Sequence, residues 1–379
     1  MRSGRKASLI SGYFLIVLVC LGDASLAASQ TKGGTFDDLA SQAAAAREQG
    51  DVARAVDLYT KAVQVNSKWS EGWWFLGLLQ YQDGAYSPAE DAFTHYLELN
   101  PQAGPALALR GLCEYESAAF PQAATDIQKA ISLGAANDPH NAQILRYHEA
   151  LALTRSGQFQ QALSAYAFFA EKNITNPELM VAIGLAGLRM ALLPKELSAE
   201  QQPLVAAAGS AGFQFMSGDE KGAQKAFEEL FARYPNTANL HFFYGHLLFN
   251  SDPDAALAEF ERELKISPSN SNAAIMSAWI LLLRNRPAEA LPFAQKAVEQ
   301  EPQSGAAELV LGRALIETGD LNNGTEILQK AVQQDPDNLE VHIALAKAFS
   351  KLGRKDDARR ERMLCLQLTQ GNAALSASP

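Results

Sequence analysis

Residues 70–103, SEGWWFLGLLQYQDGAYSPAEDAFTHYLELNPQA, are one unit of a pattern that returns about every 34 residues through most of the chain. Apolar residues at helical spacing put Trp73, Leu76 and Gly77 on one face of a first helix, and Ala89, Phe93 and Tyr96 on one face of a second. Gly84 marks the turn between them and Pro101 ends the unit. Small residues such as Gly77 and Ala89 stand where two helices must approach closely, and the large apolar residues fill the space around that contact. So short a unit cannot bury its apolar face alone, and stacked units share one continuous core. A length of 379 residues, which would otherwise suggest two or three domains, therefore suits a single elongated array.

Aligning the turns and terminal prolines gives nine repeats, beginning near 36, 70, 104, 143, 204, 238, 271, 305 and 339. Gly50 and Gly84, and likewise Gly319 and Gly353, lie 34 apart, and Pro235, Pro268, Pro302 and Pro336 follow at steps of 33, 34 and 34. First helices carry a small residue at Gly77, Gly111, Gly245 and Gly312 among others, and second helices repeat pairs such as Ala162 with Tyr166 and Ala256 with Phe260. Two units depart from the pattern. The third has Ala118 in place of the turn glycine, and the fourth has Arg146 and Glu149 at two usually apolar places. Between 177 and 203 the period breaks: PELMVAIGLAGLRMALL reads as an apolar helix, but PKELSAEQQP stands where a second helix belongs. A degenerate repeat and a hinge between two arms, 36–176 and 204–372, both fit that stretch.

The order of residues in these units resembles the tetratricopeptide repeat, a helix-turn-helix of 34 residues. The resemblance implies an all-α fold, a right-handed α-solenoid of stacked helix pairs, with first helices lining a concave face that binds peptides or proteins. Arg359, Arg360 and Arg362 on the last second helix suit a terminal cap facing water, and 373–379 reads as a disordered tail.

Groove positions on the first helices select Trp74, Leu78, Tyr81, Tyr115, Tyr147, Phe215, Phe242, Phe249, Trp279 and Leu282 as the expected binding surface. Large aromatic side chains bury much area at little entropic cost and dominate binding hot spots. The same positions can instead pack against the next first helix, which is the competing reading for Leu78 above all. Gly77, Ala89, Phe93, Pro101, Gly245, Pro268, Pro302, Gly312 and Pro336 are expected to hold the repeats together. One branch of the family clamps a chaperone's terminal carboxylate with Lys, Asn and Arg in the groove. Here the corresponding places are Ala40, Ala44, Phe75, Pro105 and Arg110, so that clamp is absent.

Residues 1–27 read as a secretory signal: Arg2, Arg5 and Lys6, an apolar run from Leu9 to Leu21, then Ser25 and Ala27 at a cleavage site, with 28–35 as a linker. The apolar run is shorter than the roughly 20 residues that cross a bilayer, which disfavours an uncleaved anchor. The formal charge is −10, and cleavage would remove three basic residues and one acidic one, leaving −12. Nucleic acid is thus not the expected partner. Cys113 and Cys365 lie too far apart along an array to pair.

No GxSxG, GxxxxGK or HExxH motif is present, and the six histidines are scattered. The expectation is a non-catalytic protein without cofactor or metal, whose function lies in its surface. Exported members of the family imply an adaptor of the cell envelope, periplasmic or extracellular, that binds another protein or peptide. The alternative is a polysaccharide-associated envelope protein stacking Trp74, Tyr81, Tyr115 and Trp279 on sugar rings. Sugars need hydrogen bonds beside the stacking face, and the groove neighbours are mostly Leu, Ile and Phe, which favours protein.

Overall fold

The structure, a computed structural model, describes residues 35–376. The expected signal 1–27, and the linker up to residue 34, lie outside the described residues. Helices account for every regular element among those residues, which divide into two compact units on either side of the junction between residues 199 and 200. The division falls inside the stretch where the period breaks.

The first unit holds four helix pairs: α1 (Phe36–Glu48) with α2 (Val52–Val65), α3 (Ser70–Gln82) with α4 (Tyr86–Leu99), α5 (Gly104–Glu116) with α6 (Phe120–Ser132), and α7 (Pro139–Arg155) with α8 (Phe159–Glu171). A single helix, α9 (Pro177–Gly187), follows and packs on α7 and α8. In place of a second helix there is one 3-10 turn, Pro194–Glu196. That turn is tied back to α7, with Glu196 accepting from the Leu193 amide at 2.7 Å and lying 3.4 Å from Arg155.

The second unit holds five pairs: α10 (Gln202–Met216) with α11 (Glu220–Arg233), α12 (Leu240–Leu248) with α13 (Pro253–Ile266), α14 (Ser271–Leu283) with α15 (Pro287–Gln300), α16 (Gly305–Thr318) with α17 (Leu321–Gln334), and α18 (Leu339–Lys351) with α19 (Lys355–Ser376). α19 runs on to Ser376, so the helix enters the stretch expected as a tail. Each unit is an all-α solenoid in which successive pairs stack.

Local chemistry sets these lengths. Most first helices end on a residue in the left-handed region, as at Gly84 with φ +75° and Gly319 with +100°, where L side chains are disfavoured. The amide one residue later then bonds back five residues, as Ala85 does to Gln80 at 2.9 Å and Asp320 to Leu315 at 2.9 Å. Four of the second helices begin on aspartate caps, Asp51, Asp219, Asp252 and Asp320, each accepting from the amide three residues on.

The core lies between the helices of each pair and the first helix of the next. Tyr59, Phe93, Tyr166, Phe227 and Phe260 on the second helices are fully buried. The first helix comes close over them through its small residue. A Cβ on Gly77 would stand 2.8 Å from Phe93, on Gly245 2.9 Å from Phe260, and on Gly312 2.6 Å from Leu328. Ala89 is buried beside Phe93. Pro101, Pro268, Pro302 and Pro336 all fall in the short links after second helices, where no amide donor is needed.

Candidate binding surface

The ten first-helix residues expected to form an open groove are buried or partly buried. Leu78 and Phe242, 6% and 7% exposed, belong to the core: Leu78 packs with Ala89, Phe93 and Leu109, and Phe242 lies 5.4 Å from the Phe260 ring. The other eight are partly buried. The physical reason is the stacking itself. First helices of successive repeats pack on one another, as α14 does on α16, so a position that points along the array meets its neighbour.

In the first unit Trp74 rests 5.3 Å from Tyr96 and 5.9 Å from Phe93, both on α4. Tyr81 and Tyr115 repeat a single device, each ring edge-on to the aromatic that opens its own second helix, Tyr86 at 5.8 Å and Phe120 at 5.6 Å. Tyr115 also meets the ring of His148 at 4.9 Å. His148 is buried, which lowers its pKa and favours the neutral imidazole, and its Nδ1 faces the Ile144 carbonyl at 2.8 Å. Burial, with Tyr166 and Glu178 nearby, pushes the Tyr147 phenol up, so it titrates beyond any physiological pH.

In the second unit, Phe215 is partly buried on α10, and Phe249 and Leu282 pack at the margin of the core around α12–α16. Trp279 touches that core and also the one around α16–α19, and the Arg313 guanidinium lies over its ring at 4.6 Å. Arg313 in turn stands 4.0 Å from Glu340. Beside it Glu317 pairs with Lys347, and with Lys351 at 2.9 Å. Sequence reasoning passed over these charges. Their signal was present, since Arg313 and Lys347, like Glu317 and Lys351, stand 34 apart and so occupy one register on α16 and α18.

Arg110, the one groove place matching a carboxylate clamp, is committed to Asp126, donating from Nε at 2.5 Å and Nη2 at 3.0 Å. Arg146 and Glu149, the misfits of the fourth repeat, satisfy each other at 3.0 Å. His241 does not face His246. It stacks on Phe231 at 3.9 Å and meets Glu259 at 2.6 Å. Among the described residues no group of three or more His, Cys, Asp or Glu is placed to hold a metal ion, and no helix is long and apolar enough to cross a membrane.

Profiles described as tetratricopeptide repeat match residues 41–104, 281–323 and 319–361. No curated protein matches the sequence. Solved structures similar to part of the chain include the MamA RS-1 ArsTM double mutant, 22% identical over 45% of this chain and 96% of that one at a TM-score of 0.41. Another is YrrB, described as a TPR protein with an unusual peptide-binding site, 17% identical over 44% of this chain and 86% of that one at a TM-score of 0.39.

Proposed function

The chain is a tetratricopeptide-repeat protein, and from that premise we propose that it is a non-catalytic scaffold holding a segment of another protein on the first-helix face of its repeats. Repeats of this family generally mediate protein–protein contact. The observation that carries the reading furthest is the surface of α14, α16 and α18, where Trp279 lies under Arg313 beside the charges of Glu317, Lys347 and Lys351. An aromatic with a cation over its face, rimmed by charge, is the composition of a binding hot spot. Partly buried Trp74 offers a second anchor in the first unit. The proposal extends to export. A basic, then apolar, then small-residue sequence over 1–27 supports a periplasmic or extracellular adaptor of the cell envelope.

Trp279 also contacts two cores, so its removal would confound binding with stability. Arg313→Ala and Lys347→Ala avoid this. In affinity capture from the native envelope extract, a protein held by the parent should be weakened by about 2 kcal/mol in the double variant, with an unchanged thermal melt. Partners held equally by both forms would remove this surface from the proposal. Retention on polysaccharide alone would support the sugar-binding alternative. The exported protein should begin at or near Ala28 by mass spectrometry, and an intact Met1 in a membrane fraction would overturn the export reading.

A further inference from the structure

In the third repeat, α5 and α6 border a cleft of about 410 Å³ lined by Arg110, Glu114, Pro121, Gln122, Thr125 and Asp126. Its charges do not balance. The Arg110 fork is spent on both oxygens of Asp126, and Nη1 reaches Thr94 Oγ1 on α4 at 3.4 Å. Glu114 is left beside that pair, with Oε1 at 4.0 Å from Arg110 Nε, and its side chain only 9% exposed. Its Oε2 is buried with no hydrogen-bond partner among the described residues. A carboxylate so placed is costly unless something donates to it.

The groups facing Glu114 make this worse. Asp126 on α6 and Glu90 on α4 add negative field, and only Arg110 on α5 opposes it. Burial first, then Asp126, push the Glu114 carboxyl up to about 8, with Arg110 working the other way and Glu90 adding to the rise. Three carboxyl groups share one guanidinium, which is bonded to Asp126, and Glu114 is the buried carboxyl left beside that pair without a cation of its own. Beside the cleft α5 and α6 are held together by close packing, since a Cβ on Gly111 would stand 2.8 Å from Ile127 and 3.2 Å from Asp126 Cβ.

We propose that this cleft takes one alkylammonium or guanidinium group, the side chain of a lysine or arginine on a partner protein, with Glu114 Oε2 accepting its hydrogen bond. The incoming group stays protonated. Glu114 gives up its own proton to solvent and becomes the carboxylate that pairs with the cation, so each binding event releases at most one proton. The cleft involves none of the residues assigned to the first-helix surface in the second unit, and either assignment can fail without the other.

The test is a TROSY titration of the full isotope-labelled chain with Nα-acetyl-lysine methylamide, its arginine counterpart, the uncharged norleucine analogue, and spermidine. The cationic amides should give saturable shifts centred on residues 110–126, and their affinity should grow about tenfold for each unit by which pH increases toward about 8 and level off above it, following ionisation of Glu114. Glu114→Gln, which keeps shape and removes the charge, should abolish both the shifts and the pH dependence while the melting temperature holds. Equal response to norleucine, no saturable shift with any probe, or full binding by Glu114→Gln would each overturn the proposal. Binding of spermidine but not of the amino-acid amides would overturn the assignment to a protein side chain.

Discussion

Ala118 holds a φ of +62° at the turn where the two preceding repeats have Gly50 and Gly84 at +75°. An L side chain in that region crowds the neighbouring carbonyl, and glycine does not. Ala118→Gly should therefore stabilise the protein by about 0.5–1 kcal/mol, read as a higher urea midpoint at unchanged slope. Glu263 is the opposite case. It is fully buried and accepts from the Asn239 amide at 2.8 Å, the Phe242 amide at 3.3 Å and Asn270 Nδ2 at 3.3 Å, so it caps α12 from another helix. Glu263→Ala should cost about 2–3 kcal/mol by leaving buried amides without an acceptor, measurable by the same titration. The two residues were unequally legible. Ala118 announced itself by standing where a 34-residue register demanded glycine, whereas nothing near Glu263 shows that its partners lie 24 and 21 residues earlier.

Between elements, the clearest contact to test joins α18 to α19. Both ring nitrogens of buried His342 face acceptors, Glu361 Oε2 at 2.6 Å and the Pro336 carbonyl at 2.7 Å, an arrangement that only the imidazolium satisfies on both sides. Burial pulls the His342 pKa down, but the Pro336 carbonyl, the hydrogen bond and charge of Glu361, and Asp337 outweigh it and leave the value raised. A raised folded value means that the stabilisation is complete below the unfolded pKa, about 6.5, and is lost as pH climbs through the folded one. Amide exchange in α19, corrected for its intrinsic pH dependence, should accelerate across that range, and His342→Gln should remove the effect. Helix pairing itself was readable from turn glycines, terminal prolines and the small residues that let helices approach. The open face was not. Whether Leu78 or Phe242 points at solvent depends on how far the next first helix overlaps it, a matter of packing that a single repeat's sequence does not contain.

At the scale of the molecule, an array joined through nearest neighbours spreads damage only locally. Gly312→Leu forces a side chain into Leu328 and the Gly324 carbonyl, which a Cβ alone would approach to 2.6 and 3.1 Å. Hydrogen exchange should report lost protection in α14–α19 and little change in α1–α4, and uniform loss through all repeats would contradict nearest-neighbour coupling. The evenly spaced left-handed turns carry a further consequence. Gly84 and Ala118 are followed by Ala85-Tyr86-Ser87-Pro88 and Ala119-Phe120-Pro121, each opening a second helix on an aromatic. A recombination event that excises 85–118 would join Gly84 to Ala119 and pass from α3 into α6 through a turn of the same conformation. Loss or gain of one whole 34-residue unit at this place would thus leave the junction between first and second helix intact.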